Sequence, residues 1–243
     1  MKTIRLLIAI AVLVFLLPSP LRASELVRAH PNLASKLLGI KTVLLLPPRI
    51  SMYEIGAGDT PEKMEDWGTA AQQNVIQAME ARAATLHLTR LDEQSLDKAA
   101  RDNYDETRLL YEVVGGSISF HTFDYNCPCH FPEKAREFVY SLGSEIQKLA
   151  PQADAFLLIE GFDQRSSGGR LALQAARLLI GAALGVVATG PRGANLTTVA
   201  LVESKTGTIL WFYRTLYSYD LREATSASMF VGDVLKEFPT IGK

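Results

Sequence analysis

The chain of 243 residues has only two cysteines, too few for a disulfide scaffold, so the fold has to be held by burial. It also lacks a basic surplus. Its 25 Lys and Arg face 26 Asp and Glu, a balance that excludes the electrostatic footprint of a nucleic-acid binder. No carboxylate pair is placed for acid–base work. Asp154 and Glu160 close the two ends of one strand-like run, ~20 Å apart at ~3.3 Å per residue, and read as solvated end-of-strand charges. "SSGGR" (Ser166 to Arg170) has no Walker or dinucleotide pattern around it, so a flexible hinge is favoured over an anion site. The serines lack a nucleophile-elbow setting. With no catalytic constellation in view, the expectation is a protein that is not an enzyme.

What is present begins with a leader pattern. Lys2 and Arg5 precede an apolar run from Leu6 to Leu17, broken by Pro18 and Pro20 before "LRAS". This is the three-part plan of a secretory signal peptide over residues 1–23, cleaved after Ala23. The run is short for a bilayer span, which takes about 20 residues, although an uncleaved anchor is the alternative. No cysteine stands near the break for lipid attachment, so the expected location is the periplasm, without a lipid tail. The whole chain has a formal charge of −1, and loss of Lys2, Arg5 and Arg22 with the leader takes it to −4.

Residues 24–40 read as a linker or N-terminal helix, and 41–243 as one α/β domain. Val43 to Leu46, closed by Pro47 and Pro48, suits a strand covered on both faces. "SMYEIGAGDTPEK" reads as a loop. Trp67, Ala71, Val75, Ala78 and Met79 share one face of a helix over 66–82. "TLHLTRLD" is a short strand, and Glu106 to Val114 extend a helix expected to stop at Gly115 and Gly116. "FHTFDYNCPCHF" reads as a loop. Pro132 opens a further helix, with Ala135, Phe138, Val139, Leu142, Ile146 and Leu149 as its apolar face and Pro151 as its end. "DAFLLIEGF" is a second buried-type strand. "NLTTVALVES" and "TILWFYRTLYSYD" flank "KTG", a hairpin signal, and Ala224 to Phe238 make a terminal helix. The predicted class is α/β: a mixed sheet with flanking helices, a late antiparallel hairpin and an apolar helical insertion at 170–190.

Three places are candidate sites. Cys127, Cys129 and His130, with His121 nearby, offer thiolate and imidazole ligands suited to Cu or Zn. In an oxidising compartment the two thiols close on each other instead, or cross-link subunits, and a disulfide is the favoured reading over a metal. Ile209, Trp211, Tyr213, Tyr217 and Tyr219 fall on one face of the last strand by period two. Helices are expected over Trp211 and Tyr213, leaving Tyr217 and Tyr219 as partner-binding candidates. Leu171 to Ala188 would reach ~27 Å as a helix, short of the ~30 Å hydrocarbon core, and Arg177 interrupts it. Small residues there, Gly181 and Gly185 among them, favour close helix packing within the domain, or contact with another subunit or a membrane surface.

"KTVLLLPPR", an amphipathic helix, "ADAFLLIEGF" and "VALVESKTGTILWF" together resemble envelope proteins that share the fold of the amino-terminal domain of the Tol translocation protein. That group includes the curli-secretion (CsgG-like) family and related putative periplasmic lipoproteins, and the likeness covers most of 41–214. It implies a non-catalytic envelope component acting through protein–protein contacts in assembly or secretion, with envelope proteins or its own copies as partners. The lipidated cysteine of many relatives is missing and 170–190 is not a pair of membrane strands, so channel activity is not carried over. A periplasmic metal or redox protein and a membrane-contacting oligomer subunit are the alternatives.

Overall fold

The apolar run at Val43 becomes β2 (Val43–Leu45), lodged between two parallel neighbours in an eight-stranded sheet. The computed structural model describes residues 26–56, 58, 60–86, 88–123, 128–174, 195–215 and 219–241. The leader, Cys127, Gly181, Gly185, Tyr217 and most of the apolar insertion lie outside them. The neighbours of β2 are β5 (Leu88–Arg90) and the long β6 (Ala155–Ser166). Beyond β6 come β7 (Asn195–Glu203), β8 (Ile209–Arg214) and the edge strand β1 (Val27–Ala29), each antiparallel to the one before. The sheet is therefore mixed, and the late hairpin is present.

Pro47 and Pro48 have no amide to give the ladder, and β2 ends before them. The chain then returns to the same side of β6 as β3 (Arg49–Ile55), with the register slipped by one residue. Here the expected loop is corrected. "SMYEI" belongs to β3, and "PEK" is β4 (Pro61–Lys63), paired antiparallel to it. Ile50 and Met52 are buried and alternate with half-buried Ser51 and Tyr53, a pattern that the neighbouring glycines and acids disguise.

Helices cover both faces. On one, α2 (Glu65–Glu80) and α6 (Ala224–Glu237) bring Val75, Met79, Phe230 and Val231 against Leu157, Leu201, Trp211 and Tyr213. The short α1 (Leu33–Leu37) and α3 (Ala83–Leu86) lie before β2 and β5 in the chain. On the other face, α4 (Lys98–Phe123) and the segment after it bring Tyr111, Ile118, Phe138 and Ile146 against Phe156, Leu158, Ala200 and Phe212. Strand β6 alternates between the two cores.

Three expectations change on this second face. The helix runs through Gly115 and Gly116 to Phe123, because Tyr111, Gly115, Ile118 and Thr122 form one continuous buried stripe. A Cβ on Gly115 would stand 3.6 Å from the Phe212 ring, so the missing side chain lets the helix sit close to the sheet. The helix opened by Pro132 is only α5 (Pro132–Glu137), since Phe138 takes a left-handed conformation with φ 38°. Leu142 then donates its amide to the Gly207 carbonyl, which ties the chain to the hairpin turn. A 3₁₀ segment, Ser144–Leu149, carries Ile146 and Leu149 inward. Finally, a bulge between Leu201 and Val202 places Leu210 opposite no partner, so Ile209 faces the α4 core while Trp211 faces the other.

The hairpin turn is the tightest packing in this region. Gly207 has φ +66°, and a Cβ there would lie 2.1 Å from the Gly143 carbonyl oxygen. Gly207→Ala is expected to cost about 3 kcal/mol or more, from overpacking and left-handed strain together. Gly232→Ala, in the interior of α6 with open space around it, is expected to stabilise by about 0.5–1 kcal/mol. Urea unfolding of both variants checks the contrast, and equal effects would refute the tight approach of the two turns.

Candidate functional site

The helix α4 is 26 residues long, about 39 Å, and carries apolar residues on two sides rather than one. Its inner side is the stripe already described. On its outer side Leu109, Val113 and Phe120 are 58%, 70% and 61% exposed, and Leu110 and Phe131 flank them at 39% and 49%. With Gly116, the outer residues step by four, three and four positions, so they form a single row. Water-facing side chains of this size, gathered in a row, mark a contact surface more often than scattered apolar residues do. A helix expected to stop at Gly115 leaves Phe120 separate from Leu109, and only its continuation to Phe123 joins them in one row.

A buried charge pair lies beneath the row. The Arg108 side chain is fully buried and Glu160 keeps 13% of its side-chain exposure, with Arg108 Nε 3.5 Å from Glu160 Oε1. Arg108 Nη2 donates to the Ile159 carbonyl at 3.2 Å. One turn further on, the Tyr111 hydroxyl shares a 3.2 Å hydrogen bond with that of Thr198. The solvated end-of-strand charge expected at Glu160 is thus corrected, because α4 packs over it and brings Arg108 to it. Burial pushes the Glu160 carboxyl up to about 7, against the pull of Arg108 and Arg49. The same burial lowers the pKa of Arg108. Asp154, at the other end, accepts amide hydrogens from Lys41 and Thr42 and anchors the entry to β2.

Two arginines hold the far end of α4. Arg28 donates through Nε and Nη2 to the Thr122 carbonyl, and Arg214 donates through Nη1 to that of Ser119. Their guanidinium carbons stand 4.2 and 4.6 Å from the Phe123 ring centre. Cations at a helix C-terminus offset its partial negative charge, and each here also gains the ring face.

The "NCPCH" loop follows directly. Cys129 is disulfide-bonded, and Cys127 is the only other cysteine in the sequence. His121 donates through Nδ1 to the Cys129 carbonyl at 2.6 Å, and its ring lies 4.9 Å from that of Phe131. A sulfur in a disulfide is no thiolate ligand. Among the described residues no group of three or more His, Cys, Asp or Glu is placed to hold a metal ion. His130 is half-buried beside them.

Tyr219 donates its hydroxyl to Asp233 at 2.6 Å and meets the Phe230 ring edge-on at 5.5 Å, so both its polar tip and its ring have partners inside the fold. Around it, Arg165 joins Asp163 at 2.7 Å and Asp220 at 3.4 Å, while Arg222 joins Asp220 at 2.7 Å and covers Trp67. Of the apolar insertion only its start is described. Residues 168–174 are helical, with Leu171 exposed. Among the described residues no helix is long and apolar enough to cross a membrane. A polar recess of about 150 Å³ between β3, β4 and the start of α2 is lined by Ser51, Lys63, Thr69 and Gln72, among others. It is smaller than the ~300–1,000 Å³ usual for small-molecule sites.

In comparisons with known proteins the chain matches no family model, no curated protein and no solved structure.

The Glu160 carboxyl has a signed consequence. Its ordinary value is 4.5 and its folded value about 7, so folding favours the protonated acid. The stability this lends is fully present below about 4.5 and is lost as pH rises through about 7. Glu160→Gln removes that titration. The unfolding free energy of the wild type relative to the variant should fall by on the order of 3 kcal/mol between pH ~4 and ~8. A difference that stays flat across this range would show that Glu160 is not buried as described.

Proposed function

We propose that this chain is an exported, non-catalytic envelope protein that binds protein partners through the outer face of α4, in envelope assembly or secretion. The observation that carries the reading is the exposed row of Leu109, Val113 and Phe120 on a helix whose other side is locked to the sheet. Fully burying one large apolar side chain is worth about 1.5–3 kcal/mol, so covering even part of three supplies a useful contact energy. Phe120 and Phe131 add aromatic area, the kind that anchors interfaces. Export is supported by the signal-peptide pattern of residues 1–23, and an envelope role by the resemblance of the strand motifs to the Tol and curli-secretion group.

The test places a photo-reactive side chain at Val113, with Glu62 on β4 as the exposed control. The expected outcome is a defined protein adduct from Val113 and none from Glu62, in a mature chain that begins at Ser24 and fractionates with the periplasm. Val113→Glu should weaken the association about tenfold or more while circular dichroism is unchanged. Equal labelling from both positions would sink the reading.

A further inference from the structure

We infer that the partner of the α4 row is a second copy of this chain, bound antiparallel about a two-fold axis; this rests on the partner-binding reading above. The row is self-complementary. If two copies of α4 cross antiparallel with the axis between Val113 and Gly116, Leu109 of one copy meets Phe120 of the other. Val113 then fits against Gly116, twice over by symmetry. Gly116 is the right residue for that position. A Cβ there would meet nothing within 4 Å in its own chain, so the missing side chain serves no packing inside the fold and leaves room for a neighbour. The alternating steps of four and three are the spacing of helix-on-helix seams.

Charge chooses the direction. Asp102, Asp105, Glu106 and Glu112 are exposed ahead of Val113, with Lys98 as the one exposed base there, while from Val113 to Phe123 the helix carries no carboxylate. A parallel pair would set these acids against their own copies. The antiparallel pair sets each acidic stretch beside the carboxylate-free stretch of the other copy. The opposed helix dipoles favour the same arrangement. A seam built on one helix per copy belongs with the smaller interfaces, so the dimer is expected to dissociate on dilution.

The experiment is light scattering on the mature chain over a wide concentration range, alongside oxidative cross-linking with the native cysteines in place. Twice the monomer mass at high concentration, falling on dilution, is the expected result. Val113→Glu should raise the dissociation constant about tenfold or more. A mixture of Leu109→Cys and Phe120→Cys chains should cross-link, while Leu109→Cys alone should not, because the two copies of Leu109 would lie ~16 Å apart along the seam. Cross-linking of Leu109→Cys alone would overturn the antiparallel arrangement. A mass that stays monomeric, or a dimer indifferent to Val113→Glu, would overturn the self-pairing. The photo-adduct at Val113 separates the two readings. A monomer that still yields an adduct with another protein keeps the α4 surface and loses the self-partner, and a monomer that yields none loses both.

Discussion

Strand β6 has to find backbone partners on both of its long edges, and most of the architecture follows from how it does so. It is 12 residues long, and its first five residues are buried. Buried amides without partners would each cost on the order of 1–3 kcal/mol, so neither edge can be left open there. One edge is met by β7 along an unbroken antiparallel ladder from Ala155 to Asp163. No single strand meets the other edge: β2 takes its start and β3 its remainder, with Pro47 and Pro48 between them. The prolines fall where the ladder changes hands, so their missing amides fall in the gap between the two strands. The one-residue slip in register is the geometric trace of that exchange.

Because β6 is covered on both faces as well, its last inward residue on the α4 side has unusual weight. Glu160 stands where the strand leaves the apolar core, and Arg108 reaches it from the helix above. A buried ion pair contributes little net stability, since desolvating both groups offsets their attraction. Losing either partner alone is costly, because the other is then left charged in a poor solvent. The pair therefore discriminates between arrangements more than it holds any one of them together. Arg108 must face the sheet, and that requirement fixes the rotation of α4 about its own axis.

The parts of the fold legible in sequence were those with a local signature. Four consecutive apolar residues at Val43, the run through Phe156 to Ile159, and "KTG" between two strands each announce their element without help from the rest of the chain. What escaped depends on distant residues. The strand after Pro48 exists because β6 has an open edge, and the bulge at Leu210 exists because of register with Leu201 and Val202. The extension of α4 past two glycines depends on Phe212 and the sheet beneath it. The exposed row is hidden in the sequence for the same reason, since it joins residues on both sides of the glycine pair. The buried charge is illegible in like manner. Glu160 looks like any carboxylate at a strand end until a helix is laid over it.

The two sides of α4 are then one design problem. A helix with apolar rows on opposite sides has two ways to bury a row against the sheet, related by roughly half a turn about its axis. The inner row, with Tyr111, Gly115 and Ile118, fits the sheet because the glycine admits Phe212. The outer row would bring Gly116 to a similar position, so shape alone separates the two weakly. Charge separates them strongly. In the inverted arrangement Arg108 would turn to water, Glu160 would stay buried without its partner, and Glu106 would turn toward apolar strands. The arginines at the far end add a second lock, since Arg28 and Arg214 grip Phe123 and the last carbonyls only in the observed rotation. The buried charges thus keep Leu109, Val113 and Phe120 facing outward, against the ordinary tendency of such residues to fold inward.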